Sequence, residues 1–512
     1  MTATATTAGG AGASLDQPLL RKGALGLWDD TVIAVSSTAP AYSIATSLGA
    51  LAAAVGLAGP AAIWVGFIPV TGIAVAYYYM NRMDPNCGAA YTWASKALHP
   101  GIGFINGWIV ILTDVLFMSF AAPQAGAALL QLFNAWGLNS IGGLDLTPSA
   151  WYANYETVFF GVLFLALVTY MVMVGIKVAA NFQWVLLAIE YSIVLAFSII
   201  GFTKGGGSGL DLGWLNPASM GGMSGLAAGV VIAVFFYWGW DTAANLNEET
   251  EDSSENPGRA GILGMVLLLV LFLIAAISIQ YVLTPQEIQD NSATTLTAFA
   301  DKLVGNQWGS LAILAFLSST VATLQTTLLP SVRTAFSMGR DGMLGPVWAV
   351  ISPKWHTPWI GTIIMGAISA VIAVASLQVG GLNAIVSAGV TSIGLLVAFY
   401  YGVVGISCTV YYRHALTRSV KGFIFAGVFP LLSALALFGL AGYLTWTDWT
   451  STDSFAFDAT NGRFLVGVPI VCVLSAIPAL LYTYLKRHPK YLSMPTESAP
   501  ANALEQKPTG AR

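Results

Sequence analysis

Phe235-Phe-Tyr-Trp-Gly-Trp-Asp-Thr-Ala-Ala244 interrupts an apolar run, residues 223–247, that is otherwise long enough to cross a bilayer as one helix. Gly239 falls near the middle of the run, between aromatic side chains and two residues before Asp241. Glycine weakens a helix, and a carboxyl group is costly in hydrocarbon. An earlier run, residues 28–56, contains Ala34-Val-Ser-Ser-Thr-Ala-Pro-Ala-Tyr-Ser43. Pro40 lacks an amide hydrogen and frees a carbonyl one turn back, among small polar side chains. Freed backbone groups in lipid must be satisfied internally, by a ligand or by a water-filled cavity. Broken helices at corresponding places in two halves of a chain point to a transport site.

Working outward, further runs of roughly 20 or more apolar residues lie near 60–81, 101–133, 153–174, 179–202, 259–283, 308–338, 358–378, 382–412, 421–445 and 464–485. With the two broken runs these predict an all-α membrane protein of about twelve transmembrane helices. The runs are too long, and alternate too little, for a β-barrel. Composition agrees: the 512 residues are 56% hydrophobic and 9% charged, against about 25% charged in a soluble domain.

Lys and Arg set the orientation. With the N-terminus inside, the inner loops and ends take Arg21, Lys22, Arg82, Lys96, Lys177, Arg259, Arg333, Arg340, Lys354, Arg413, Arg418, Lys421, Lys486, Arg487 and Lys490. The outer side takes Lys204, Lys302 and Arg463, so both termini are expected in the cytoplasm. Residues 1–24 read as a disordered cytoplasmic tail, Thr/Ala/Gly-rich to about Leu20 and without the basic start and cleavage site of a signal peptide. Residues 25–485 form the membrane domain, and 486–512 a cytoplasmic C-terminal tail, polar from about Met494.

Three connections are more than simple loops. Cys87–Leu98 reads as a short inner helix, Pro285–Leu303 as one or two short outer helices, and Asp341–Trp355 as a further inner element. The first two follow the second and seventh spans on opposite sides, as an inverted repeat of five plus five helices with two extra helices predicts.

Three stretches carry a family resemblance. The first is Asp84-Pro-Asn-Cys-Gly-Ala-Ala-Tyr-Thr-Trp93 followed by Gly103-Phe-Ile-Asn-Gly-Trp108. The second is Phe236-Tyr-Trp-Gly-Trp-Asp241, then Asn247-Glu-Glu-Thr250 and Asn256-Pro-Gly-Arg259. The third is Ser331-Val-Arg-Thr-Ala-Phe-Ser-Met-Gly-Arg-Asp-Gly342 with Thr357-Pro358. In order and spacing, over roughly residues 25–485, the chain resembles the amino acid–polyamine–organocation permeases. The resemblance implies a LeuT-type inverted-repeat fold and secondary transport of amino acids or related amines by alternating access. Many relatives carry Gly-Ser-Gly at the first break, where this chain has Ser37-Thr-Ala-Pro-Ala41.

At that break, Ala39, Pro40, Ala41, Tyr42 and Ser43 begin a half-helix whose N–H groups suit a substrate carboxylate. The preceding half-helix ends near Ser36, Ser37 and Thr38, whose carbonyls suit an ammonium. Phe236, Tyr237, Trp238 and Trp240 are candidates to flank the substrate, although at helical spacing only some can face one cavity. Asp241 either binds a substrate amine or caps the second half-helix. Asp114 either lines the cavity or bonds a neighbouring helix.

Glu190 in the fifth span falls where some proton-coupled relatives carry a lysine in place of a sodium ion. Burial favours a neutral carboxyl, so a proton is the expected coupling ion. Sodium held with Ser318, Ser319 or Thr320, or a plain packing role, stays open. Glu248 or Glu249 is a candidate partner for inner basic residues, in an acidic run with Glu251, Asp252 and Glu255.

Other classes fit poorly. A net charge of −4 without a basic tract argues against nucleic acid. Cys87, Cys408 and Cys472 show no metal spacing, so no cofactor beyond H+ or Na+ is expected. His99, His356, His414 and His488 fall in loops or at span ends, and no hydrolase motif is present, so an enzyme is not expected. Gly205-Gly-Gly-Ser-Gly209 has no strand before it and is no phosphate cradle. No filter-like motif favours a channel; a nutrient sensor on the same fold, and monomer versus dimer, stay open. The expected partners are a small-molecule substrate and lipid, in a bacterial inner membrane.

Overall fold

The computed structural model describes residues 20–141, 144–146, 155–205, 210–292, 294–376, 382–456 and 461–504. Most of the N-terminal tail, residues 206–209 of the glycine stretch, and the last eight residues lie outside these. Helices dominate: α1 (Leu27–Ser37), α2 (Pro40–Val55), α3 (Gly59–Met83), α4 (Ala90–Ala97), α5 (Pro100–Ala135), α6 (Tyr155–Val174), α7 (Ile176–Lys204), α8 (Gly222–Phe236), α9 (Thr242–Asn245) and α10 (Asn256–Val282). They continue with α11 (Pro285–Asp290), α12 (Thr295–Val304), α13 (Asn306–Arg340), α14 (Trp359–Ser376), α15 (Leu382–Tyr412), α16 (Val420–Gly422), α17 (Phe429–Thr450) and α18 (Gly462–Arg487).

Among the described residues nine stretches are long and apolar enough to cross a membrane. The first, Leu27–Met83, has 57 residues, more than twice what one crossing needs, and it is interrupted between α2 and α3. Two shorter apolar helices, Gly222–Phe236 and Trp359–Ala375, accompany them. The chain is a multi-pass helical membrane protein.

Helix α5, helix α13 and the second half of α15 are mostly buried, whereas α6, α7 and α18 turn large apolar side chains outward, such as Leu163, Val185 and Val471. Lipid does not drive helices together by apolar burial, so close packing must hold the bundle. Gly126 of α5 and Gly161 of α6 show how. A Cβ on Gly126 would lie 2.0 Å from the Thr157 carbonyl oxygen, and one on Gly161 2.3 Å from that of Ala122. The two helices therefore touch backbone to backbone.

The expected short helix after the second span is α4, and the expected outer pair is α11 and α12. Thr284 caps α11 in a reciprocal box with Glu287. The third expected element, Asp341–Trp355, contains one short 3-10 turn, Pro346–Ala349.

The described segments nearest the two ends of the chain lie at one end of the bundle. The N–H groups of Ala24 and Leu25 donate to the Glu249 carbonyl at 2.8 and 3.2 Å, and Glu251 N–H donates back to the Leu25 carbonyl at 2.8 Å. The C-terminal segment also docks there: Glu497 N–H donates to the Lys96 carbonyl at 2.8 Å, and Ala499 N–H to that of Tyr411 at 2.9 Å. Tyr491 stacks on Tyr91 with ring centroids 5.9 Å apart.

Candidate functional site

Helix α1 stops at Ser37, and α2 starts at Pro40. Between them Ala39 has φ 47°, a left-handed conformation that an L-residue adopts at a cost. The second interruption runs from Tyr237 to Asp241, between α8 and α9, and turns on Gly239 at φ 114°. The two breaks touch. A Cβ on Gly239 would lie 2.5 Å from the Ser37 carbonyl oxygen, so glycine is required by space as well as by φ.

Most backbone polar groups of the first break are taken by the protein itself, whereas the buried Ser36 and Ser37 hydroxyls have no partner. Ala41 N–H donates to Glu190 Oε1 at 2.5 Å. Ser319 Oγ–H donates to the same oxygen at 2.7 Å, and Tyr42 N–H donates to Ser319 Oγ at 3.1 Å. The carboxylate from α7 thus sits on the N-terminus of α2, where the helix dipole favours negative charge. On the other side, Thr323 Oγ1 donates to the Ser37 carbonyl at 3.0 Å, and Ser43 Oγ to that of Thr38 at 2.7 Å. Thr38 and Ala39 N–H groups fold back on Val35 and Ser36. The amides expected to await a substrate carboxylate, and the carbonyls expected to await an ammonium, are therefore engaged.

Glu190 is fully buried, and its Oε2 has no hydrogen-bond partner. Of the three hydroxyls considered with it, only Ser319 reaches it. Thr320 donates to the Phe316 carbonyl and Ser318 to that of Ala315, each within its own helix. Serine and threonine inside helices commonly bond back this way, which sequence position alone does not reveal.

Asp241 is not the expected cap: its side chain makes no cap hydrogen bond to α9. Instead Tyr401 Oη donates to Oδ1 at 2.9 Å, while Tyr400 and Tyr77 donate to Oδ2 at 3.2 and 3.4 Å. Trp238 Nε1 donates to Tyr400 Oη at 2.7 Å. Trp240 packs edge-on to Tyr77 at 5.0 Å and against Tyr401 at 5.6 Å. A carboxylate thus lies in an aromatic box built from α3, α15 and the second break. Asp114 of α5 is also buried, within electrostatic range of Asp241, and its Oδ2 is unpartnered.

The other aromatics divide. Trp238 and Trp240 reach the box. Phe236 packs on Phe272, and Tyr237 donates to the Ile63 carbonyl and packs on Phe67, so neither joins Asp241. Tyr42 accepts from Gln124 Nε2 at 2.7 Å and stacks on Phe316. Sequence reasoning missed Tyr77, Tyr400 and Tyr401. The adjacent Tyr400-Tyr401 pair within an apolar run is the signal that could have found them.

Two ion pairs tie the end of the bundle where Leu25 and Glu497 lie. Arg333 and Glu249 are fully buried and pair through Nε and Nη2, both 3.0 Å from Oε2. Arg340 grips Glu248 by two bonds at 3.1 and 2.9 Å, and Cys87 N–H donates to Glu248 Oε1. Glu248 or Glu249 was the candidate partner for inner basic residues, and the structure pairs each of them with an arginine.

Two helix breaks in contact, ringed by buried acids within a bundle of apolar helices, mark the class of membrane permeases. Residues 25–457 match the family model described as amino acid permease, and the chain belongs to that family. It is a transporter, not an enzyme. Among curated proteins it is similar to the methylthioribose transporter of Bacillus subtilis (strain 168), 26% identical over 420 residues, covering 78% of this chain and 86% of that protein. It is also similar to the low-affinity putrescine importer PlaP of Escherichia coli (strain K12), 25% identical over 388 residues, with 74% and 79% covered. Among solved structures, MhsT crystallised with L-phenylalanine superposes with a TM-score of 0.62 at 16% identity. That match covers 82% of this chain and 99% of MhsT, and it supports the LeuT-type fold.

Proposed function

We propose that the chain is a proton-coupled secondary transporter of amino acids or related amines. It works by alternating access in a cell (inner) membrane, with the end where Leu25 and Glu497 lie facing the cytoplasm. The observation that carries the coupling is Glu190, which joins α7, the start of α2 and α13 through Ala41 N–H and Ser319 Oγ. A carboxylate accepts both bonds. A proton on Oε2, the oxygen without a partner, removes the charge that holds them and loosens α2 and α13 from α7. Loss of that proton on the other side restores the bonds. Relatives named for methylthioribose and putrescine support small polar or basic cargo. The lysine and arginine excess at the end where Leu25 and Glu497 lie supports the orientation.

The second reading is sodium coupling, favoured by the Ser319 hydroxyl beside the carboxylate. Uptake of the twenty amino acids and common amines into proteoliposomes, under a pH gradient and then a sodium gradient, tests both. Accumulation driven by the pH gradient is expected, with loss of accumulation but retained exchange in Glu190→Gln. Accumulation only with sodium reassigns Glu190 to an ion site.

A further inference from the structure

Arg21, Lys22 and Lys354 take part in none of the seven ion pairs among the described residues. All three line one cavity of about 650 Å3, together with Lys177 and Trp355. Three separate stretches build it: residues 20–22, which lead into α1; residues 174–178, where α6 gives way to α7; and residues 354–356, before α14. The acids nearby are already engaged or turned elsewhere. Glu249 is the acid among the described lining residues, and Arg333 holds its carboxylate. Asp29 pairs with Lys177 at 2.7 Å and accepts from Trp184 Nε1 at 3.0 Å. Glu251 approaches Gly23 but does not reach the lining. Three cations gathered on one cavity repel one another, and a shared anion turns that repulsion into attraction. The backbone adds to it: α7, 29 residues long, starts on Gly175, which has no side chain to cap the free N–H groups of the first turn.

The surroundings say which anion. Helix α7 is long and apolar enough to cross the membrane and faces mostly outward. Away from the cavity it exposes Val178, Val185 and Ile199, spaced by multiples of seven residues and so on one stripe. Trp28 and Trp184 are exposed on either side of the Asp29–Lys177 pair, and indole rings of this kind sit at headgroup level. A basic cavity at the first turn of a lipid-facing helix meets lipid headgroups. A soluble anion has no use for the apolar stripe.

We infer that this cavity binds a phosphate-bearing anion, and that the phosphate is that of an anionic membrane lipid whose chains lie along the α7 stripe. Held by Arg21, Lys22 and Lys354, the headgroup ties the segment leading into α1 to α7 and to the connection before α14. The inference goes beyond the transport reading and holds whichever ion is coupled.

The test uses the full chain, purified in neutral detergent and offered phosphatidylglycerol or phosphatidylcholine. Native mass spectrometry counts the lipid retained, and a melting curve reads the stabilisation. The wild type should retain phosphatidylglycerol at least tenfold better than phosphatidylcholine and melt higher with it. Each cation near a headgroup contributes about fivefold, so Lys354→Gln should lose about that factor, and the triple variant Arg21→Gln, Lys22→Gln, Lys354→Gln on the order of a hundredfold. All three side chains are exposed, so neither variant disturbs the core. Arg413→Gln, Arg418→Gln and Lys421→Gln together remove the same charge after α15 and should leave retention within twofold. Equal retention of the two lipids, or equal losses in the two triple variants, overturns the site. Inorganic phosphate that raises the melting curve as far as the lipid does, and fails to do so in the cavity variant, overturns the lipid assignment and keeps the phosphate chemistry.

Discussion

Gly239→Ala puts one methyl group where the two helix breaks meet. Holding alanine at φ 114° costs about 1–3 kcal/mol in backbone strain. The new Cβ would lie 2.5 Å from the Ser37 carbonyl oxygen, against about 3.5 Å for an ordinary contact, so the breaks must part by about 1 Å. Overpacking of that kind adds about 1–3 kcal/mol. The sum, about 2–6 kcal/mol, depopulates the closed arrangement at least about thirtyfold at 1.4 kcal/mol per decade. If transport passes through that arrangement, uptake per inserted molecule falls by a similar factor. The assay is initial uptake into proteoliposomes, normalised to protein that elutes as a single species in detergent. Gly442→Ala is the control, because a Cβ there meets nothing within 4 Å, and its uptake should be unchanged. Uptake by Gly239→Ala within threefold of the wild type would refute the reasoning.

Arg333→Met strands Glu249 as an unpaired buried charge and should destabilise the protein by about 3–5 kcal/mol. The double variant Arg333→Met with Glu249→Leu should recover most of that in a detergent melting curve; equal melting of single and double variants would contradict the pairing. Gly126→Val drives a side chain into the Thr157 carbonyl, with a gap of only 2.0 Å, and should lower the melting temperature while the ratio of transport rates between substrates stays fixed. In the loop between α10 and α13, the Lys302 ammonium and the Thr284 N–H hold the Glu287 carboxyl down at about 2, below its ordinary 4.5. Because the folded value is depressed, the contribution is complete above about pH 4.5 and disappears as pH falls through about 2. A spin label at Gln286 should therefore stay ordered from pH 8 to 5 and loosen only below, whereas Thr284→Ala, which costs about 1 kcal/mol of capping, should loosen it at every pH.

The breaks were legible in the sequence because their causes are local. Pro40 lacks a donor and Gly239 lacks a Cβ wherever they stand. Glu190 was legible because an acid within an apolar run is conspicuous. What it bonds to was partly legible: the hydroxyl cluster at 318–320 was visible, but which of the three faces α7 depends on helix phase. The box around Asp241 was not legible. Its three phenols come from α3 and α15, 159 to 164 residues away, and tyrosine in an apolar run reads as packing. Asp241 also sits one residue before α9, where a cap is the simplest local reading. The docked C-terminal segment was hidden for a related reason. Its ties at Glu497 and Ala499 are made by backbone, which composition does not report.

The strand-like tie between Ala24–Leu25 and Glu249–Glu251 has a consequence for how this protein can be regulated. Swinging α1 away from that segment breaks three main-chain hydrogen bonds, and the side chain of Glu249, whose carbonyl accepts two of them, is itself held by Arg333 of α13. The ion pair responds to changes in side-chain charge. The main-chain bonds carry no net charge and belong to every non-proline residue, so pH does not tune them and most substitutions leave them in place. The resistance to opening toward the termini therefore has a fixed floor, with an adjustable electrostatic part above it. Proline in place of Ala24 or Leu25 is the substitution that lowers the floor itself.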